Sequence, residues 1–210
     1  MIKVVIVDDH LIVREGLKQI ITESSDIRVV GEASNGAEAL EKVKRVDCDV
    51  LLLDISLPGR SGLEILKDLK HESPALSVLI LTMHPEEQYA VRVLKAGASG
   101  YLTKESAPDE LIEAIRKVSI GGKYISSSLA EKLAFDLEMD SGKPPHEALS
   151  DREFEVMCLI ASGKTVTEIA DEMVLSVKTI STYRSRILEK MRMKTNAELT
   201  YYSIKNQLVD

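Results

Sequence analysis

The stretch Asp49-Val-Leu-Leu-Leu-Asp54 constrains this chain more than any other. Four apolar residues run without alternation and end on a carboxylate. Such a run suits a strand covered on both faces, as in a parallel sheet between layers of helices. The strand carries Asp54 out of the core at its carboxyl end, where open α/β sheets place their chemistry. The next residues, Ile55-Ser-Leu-Pro58-Gly59-Arg-Ser-Gly62, supply the Pro and Gly of a turn. Taken alone, Asp54 reads as a mere cap or turn starter as readily as it does as a chemical group.

The surrounding sequence repeats the pattern. Strands are expected at 2–7, 27–33, 50–53, 78–81 and 100–103. Helical apolar spacing falls between them at 11–22, 36–45, 63–71 and 86–96, the last stopping at Gly97. Ser106-Ala-Pro-Asp109 has capping-box spacing, with Asp in place of Glu, and opens a further helix through Leu111, Ile112, Ile115 and Val118. Strand and helix alternate five times, which predicts an α/β doubly wound five-stranded parallel sheet over residues 1–120.

Residues 121–147 read as a linker. Gly121-Gly122 closes the preceding helix, and Ser126-Ser-Ser128 can cap a short one through Leu129, Leu133 and Leu137. Asp140-Ser-Gly-Lys-Pro144-Pro145-His146 is a spacer. From 148 to 210 there is no strand signal of note. Capping boxes begin at Ser150 and Thr165, Ser176 caps Val177–Met193, and Thr195 caps a last helix through Leu199, Tyr202 and Ile204. The segment is expected to be a small all-α domain. A tight turn between its middle helices fits a helix-turn-helix, with a plain helical bundle as the alternative.

Charge separates the two segments. Residues 148–210 carry nine Lys/Arg and nine Asp/Glu, so the net charge of −7 belongs to the rest. Within 178–194, however, six basic residues face one acidic residue, Glu189. Such a concentration suits a polyanion, or else a solvated helix face. Lys178, Ser181, Thr182 and Ser185 share one polar face, and short hydroxyls with a Lys suit the major groove of DNA. Arg184, Arg186, Lys190, Arg192 and Lys194 are placed to meet phosphates. Cys48 and Cys158 lie far apart without metal spacing and read as reduced core residues. The amino-terminal sequence reads as a strand rather than a secretion signal, and no apolar run approaches a membrane span. A cytoplasmic protein is expected.

Four strand ends carry the remaining chemistry: Asp8-Asp9, Asp54, Thr82 and Lys104 all stand at carboxyl ends. Carboxylates brought together there need a cation, and oxygen-only donors favour Mg²⁺. With Mg²⁺ screening an incoming phosphoryl group, Lys104 as a point charge and Thr82 as a hydroxyl donor, Asp54 would accept phosphate as an aspartyl phosphate.

Residues 1–120 closely resemble the CheY-like receiver domain of two-component response regulators, through Asp8-Asp9, Asp54 with Pro58-Gly59, Thr82, Tyr101 and Lys104. The resemblance implies phosphorylation of Asp54 by a sensor histidine kinase. It implies Mg²⁺ held by Asp9, Asp54 and the Ser56 carbonyl, with Asp8 acting through water, and Thr82 with Tyr101 as a switch pair. A half-buried strand aromatic is the plainer account of Tyr101. Glu105 follows Lys104 where many receivers have Pro. Ser56 and His84 stand where the family tunes phosphate lifetime, and His10 reads as a helix-start residue rather than a ligand.

The remaining segment resembles the LuxR-type helix-turn-helix of NarL/FixJ-family regulators, through Leu149-Ser-x-Arg152-Glu153-x-Glu155-Val156-Met157, Ala161-x-Gly163-Lys164, Glu168-Ile169-Ala170 and Lys178-Thr179-Ile180-Ser181. It departs at Val166, Ser181 and Tyr183. The resemblance implies promoter DNA as partner, Lys178, Thr179, Ser181, Thr182, Arg184, Ser185, Arg186 and Lys190 as contacts, and a homodimer when active, paired through Leu199, Tyr202 and Ser203. RNA polymerase is a further expected partner. The expected function is therefore a transcription regulator and not an enzyme. Its rivals are a Mg²⁺-dependent phosphohydrolase with Asp54 as nucleophile, for which no leaving-group acid is evident, and a DNA binder indifferent to phosphorylation.

Overall fold

The computed structural model describes residues 1–127, 129–131, 133 and 144–209. Two compact units divide the chain, Met1–Ala134 and Phe135–Asp210. Leu137 of the expected linker helix and residues 140–143 of the expected spacer lie outside the described residues.

In the first unit β1 (Ile2–Val7), α1 (Leu11–Thr22), β2 (Ile27–Ala33), α2 (Gly36–Arg45), β3 (Val50–Leu53), α3 (Gly62–Glu72), β4 (Ser77–Thr82), α4 (Glu86–Lys95), β5 (Gly100–Thr103) and α5 (Ala107–Ser119) follow in order. All strand pairs are parallel, in the order β2-β1-β3-β4-β5. The expected doubly wound sheet is thus present. Its strand order turns around at β1, which opens a crevice between the carboxyl ends of β1 and β3.

Every residue of β3 and β4 is buried. Val4, Ile6, Val50, Leu52, Leu79 and Leu81 pack in one core cluster with Leu17 and Ile21 of α1 and Leu111, Ile115 and Val118 of α5. The alternate residues Val5, Val7, Leu51, Leu53, Val78 and Ile80 point to the other face. They are equally buried, so both faces are covered. Each such side chain contributes about 1.5–3 kcal/mol by leaving water. The apolar runs lack alternation for this reason.

The helix starts follow local chemistry, with one exception. Asn35 accepts the Glu38 N–H at 3.0 Å, and Ser61 forms a reciprocal capping box with Glu64 at the start of α3. At α5 the expected box does not form. Ser106 already has helical dihedrals, and its hydroxyl is taken by Thr103, 3.0 Å from Thr103 Oγ1.

The second unit has a 3₁₀ turn at Pro145–Ala148 followed by α6 (Asp151–Ala161), α7 (Val166–Glu172), α8 (Val177–Met191) and α9 (Asn196–Lys205). Capping boxes form at Ser150–Glu153 and Thr165–Glu168, and the side chains of Ser176 and Thr195 cap α8 and α9. Helix α8 packs against α6 and α7, and α9 against α6. It ends two residues before the expected Met193, because Arg192 turns left-handed at φ 56°. The turn into α8 contains Val174 at φ 54°. That conformation is strained for a β-branched residue. Ile204 falls within α9 as expected and is 51% exposed.

Candidate functional site

Parallel register brings the acidic residues together. Val7 pairs with Leu53, so the next residues, Asp8 and Asp54, emerge side by side. The Asp54 N–H still donates to the Val7 carbonyl at 2.9 Å. On the other side Thr82 pairs with Thr103, and the Lys104 N–H donates to the Thr82 carbonyl at 2.8 Å. Lys104 therefore enters beside the carboxylates from a strand two places from β3.

Asp8 and Asp54 are only 2% and 3% exposed. Lys104 Nζ lies 2.6 Å from Asp54 Oδ2 and 2.6 Å from Asp8 Oδ2, bridging the two. Burial opposes its charge, but the two carboxylates outweigh burial and raise its pKa above the ordinary lysine value. Behind Asp54 the chain is held by Gly62. Its N–H donates to Ile55 O at 2.8 Å, and a Cβ there would lie 2.2 Å from the Asp54 carbonyl oxygen. Only glycine lets α3 begin that close to the Asp54 loop.

Carboxylate oxygens of Asp8, Asp9 and Asp54, with a ring nitrogen of His10, all lie within 4.8 Å of one another. Lys104 offsets one of the three negative charges, which leaves a site that attracts a cation. The oxygen donors suit Mg²⁺, a hard ion that keeps waters and accepts one or two carboxylates. His10 is the residue before α1, as expected, but its side chain does not cap the helix. Its Nδ1 sits 2.8 Å from Asp9 Oδ1 instead. The Ser56 N–H donates to Asp54 Oδ1 at 3.1 Å, which places that peptide at the rim of the cluster.

Around the rim lie the other expected residues. Thr82 is fully buried and Tyr101 is 3% exposed. Tyr101 faces inward, and its hydroxyl donates to the carbonyls of His84 (2.9 Å) and Pro85 (3.3 Å). Burial, with the charges of Glu86 and Asp54, pushes the Tyr101 pKa well above the usual phenol range, so its hydroxyl stays a donor. Ser56 Oγ and His84 Nε2 are 3.0 Å apart, and the His84 ring rests on Tyr89 at 4.8 Å between centroids.

The second candidate surface is a single helix. Lys178, Ser181, Thr182, Ser185 and Arg186 of α8 are exposed, and Thr179 is partly so. Ser176, Lys178, Thr179, Thr182, Tyr183 and Arg186 line a shallow concavity of about 270 Å³. Tyr183 was not among the expected contacts. Its only sequence signal was that it departs from the family pattern. The Thr182 and Ser185 hydroxyls donate back to the carbonyls of Lys178 (2.9 Å) and Ser181 (3.1 Å). Each keeps its oxygen lone pairs outward.

Three expectations change here. Lys190 Nζ donates to Glu153 Oε2 at 2.6 Å, and that carboxylate is buried. Lys190 is thus committed to neutralising an internal charge. Arg184 Nε donates to Asn196 Oδ1 at 2.7 Å, which ties it to α9. Leu199 and Ser203 are fully buried in their own unit, and Tyr202 Oη lies 2.8 Å from His146 Nδ1. Leu199 and Ser203 therefore offer no surface for pairing, and Tyr202 is only partly exposed. The exposed side of α9 carries Ala197, Tyr201 and Ile204 instead, with Tyr201 70% exposed.

Residues 4–116 match the response regulator receiver domain family, and residues 147–203 match the bacterial regulatory proteins of the luxR family. The response regulator UvrY of Escherichia coli K12 is 38% identical over 209 residues, covering 99% of this chain and 96% of that protein. The response regulator GacA of Pseudomonas protegens is 38% identical over 210 residues, covering 100% of this chain and 99% of that protein. Among solved structures, RcsB of Salmonella enterica serovar Typhimurium, bound to promoter DNA in the presence of the phosphomimetic BeF3-, superposes with a TM-score of 0.66. It is 30% identical and covers 96% of this chain and 98% of that one. A structure of two RcsB dimers bound to two parallel DNAs gives 0.60 at 31% identity, covering 96% and 97%.

Proposed function

The chain belongs to the response regulators that join a receiver domain to a LuxR-family DNA-binding domain, and from that premise we propose that a phosphoryl group on Asp54 controls how α8 engages DNA. The division of labour runs at about residues 1–120 for reception, 121–147 for connection and 148–210 for DNA. One observation carries the reading: Asp54 is held with Asp8 and Lys104 at the single crevice of the sheet.

The phosphodonor is a histidine kinase. An oxygen of Asp54 forms the new P–O bond while the P–N bond of the phosphohistidine breaks, and the imidazole nitrogen keeps the electron pair. Mg²⁺, held by Asp9, Asp54 and the Ser56 carbonyl with Asp8 behind, would neutralise the charge gathered there. Lys104 follows the new phosphoryl oxygens from its present place on Asp54. Thr82 supplies a hydroxyl donor, and the Tyr101 hydroxyl holds the loop that Thr82 starts. Ser56 and His84 stand across the entry and set how readily water reaches the phosphorus.

For DNA, Lys178, Thr179, Ser181, Thr182 and Ser185 face base edges, and Arg186 with Tyr183 meets the backbone. Because RcsB binds DNA as dimers, a homodimer is the active form proposed here. It pairs through Tyr201 and Ile204 rather than the buried Leu199 and Ser203. The work is placed in the cytoplasm, where promoter DNA and RNA polymerase are its partners. Driving such a two-state protein from mostly off to mostly on needs about 5.5 kcal/mol of differential stabilisation.

The test is radiolabel transfer from a phosphohistidine kinase or acetyl phosphate with Mg²⁺, followed by DNA binding. Asp54→Asn is expected to lose label by at least ~100-fold, together with any phosphodonor-dependent gain in DNA affinity. Retained label, or equal DNA affinity with and without phosphodonor in the native protein, overturns the reading.

A further inference from the structure

Helix α5 gives way at Ile120 to a segment that returns to the sheet. The Tyr124 N–H donates to the Ser99 carbonyl at 3.0 Å, and the Tyr101 N–H donates to the Tyr124 carbonyl at 3.1 Å. Tyr124 thereby forms a one-residue parallel bridge to Gly100 on the outer edge of β5. Side chains fix it further. The Tyr124 hydroxyl donates to Glu110 Oε2 at 2.6 Å, and Lys117 Nζ lies 5.6 Å from its ring centroid. Lys123 Nζ donates to the Ala98 carbonyl at 2.6 Å, and the Ser126 hydroxyl donates to Glu86 in the first turn of α4. Leu129, just beyond, is buried.

The sheet is built to receive this strap. A Cβ on Gly100 would stand 2.6 Å from the Tyr124 carbonyl oxygen and 2.9 Å from Tyr124 Cβ. Leu79 Cδ1 would lie 2.9 Å from the same Cβ, so glycine here makes room both for the strap and for a core side chain, with the strap's backbone the nearest and least yielding neighbour.

The strap also touches the switch twice. Tyr101 binds it through its main chain. Through its ring hydroxyl, Tyr101 binds the carbonyls of His84 and Pro85, the residues just before Glu86. Glu86 in turn binds Ser126. Any shift of the loop from Thr82 to Pro85 toward a phosphoryl group therefore pulls on Glu86, and through it on the strap.

The geometry points to residues 122–127 as the reader of the receiver's state: their attachment to β5 and α4 changes when the pocket is loaded, and the chain that leads to the DNA-binding unit is held or freed accordingly. This inference rests on the phosphorylation reading above. It adds a specific element and specific contacts, of which Tyr124 to Tyr101 and Ser126 to Glu86 are the decisive pair. No part of it requires the strap to touch the phosphoryl group. Its effect passes through an edge strand and one carboxylate.

Hydrogen exchange of the full chain, with and without beryllofluoride and Mg²⁺, tests it. Amide protection in 122–127 is expected to change about tenfold on loading, together with that of 84–90. Ser126→Ala, which removes the tie to Glu86 together with the acceptor of the Leu129 N–H, is expected to leave the change in 84–90 intact and abolish that in 122–127. Gly100→Ala is expected to expose 122–127 in both states while radiolabel uptake at Asp54 stays normal. A response in 84–90 with none in 122–127 overturns the strap and leaves the phosphorylation reading standing, as does an unaltered strap response in Ser126→Ala. Absence of radiolabel uptake by the native chain overturns both.

Discussion

The two working regions of this protein are built in opposite ways. The acidic pocket is assembled from three strand ends distant in sequence, and its central carboxylates are 2% and 3% exposed. The candidate DNA surface comes from one helix, and most of its proposed contacts stand in solvent. A buried, multi-strand site is rigid because moving any ligand moves a core strand. A one-helix surface is adaptable, and its cost of change is small. The pocket's geometry thus depends on the stability of its unit, whereas the helix can change its reading without changing the fold.

That contrast can be broken most forcefully in the sheet. Leu52→Ala removes a fully buried side chain beneath the pocket and is expected to cost about 3–5 kcal/mol. Thermal unfolding followed by hydrogen exchange should show the first unit lost early and the second unchanged. Equal loss in both units would erase the distinction drawn between them.

Two lysines of α8 sharpen it next. Lys190→Ala strands the buried Glu153 carboxylate and should destabilise the second unit by about 2 kcal/mol, without altering the salt dependence of DNA binding. Lys178→Ala should do the reverse, staying within ~0.5 kcal/mol in stability and lowering the salt slope by about 1. Binding isotherms over a series of salt concentrations, paired with urea melts, separate the two outcomes.

Acid provides a milder probe of the same pair. Burial raises the Glu153 pKa, but Lys190 and the Ser150 cap outweigh it, so the folded value lies below the ordinary 4.5. Its contribution is therefore complete above that ordinary value and is lost as pH falls through the folded one. Glu153→Gln should flatten the acid limb of the second unit's stability curve. An unchanged limb would assign acid sensitivity elsewhere. The smallest effect is expected at Ser203, whose buried hydroxyl has no hydrogen-bond partner among the described residues. Ser203→Ala should be neutral or slightly stabilising by calorimetry, since it removes a desolvated polar group.

The same contrast decides what could be read from sequence. Apolar runs ending in Asp8, Asp54 and Thr82 announced both the strands and the edge at which they meet, because period and termini are local signals. The capping boxes at Ser150 and Thr165 were legible for the same reason. The partner of Lys190 lies 37 residues away, in the box of another helix. Nothing in a run of basic residues distinguishes one that neutralises a buried acid from one that awaits phosphate. Leu199 and Ser203 were misassigned to a pairing surface because helical spacing alone does not say which side of α9 meets α6. Ser106 carried a cap signal that was outcompeted by Thr103, three residues back. Tyr124 pairs through a single bridge, too short to leave any alternation.

The position of that bridge has one more consequence. A parallel sheet ordered as this one ends in a strand whose outer N–H and carbonyl groups seek partners, and a bare edge is a template on which a second chain can add a strand. Tyr124 occupies the Tyr101 N–H and the Ser99 carbonyl. The connecting segment therefore also guards the receiver against stacking edge to edge with its neighbours, and a chain cut before residue 123 should be prone to self-association.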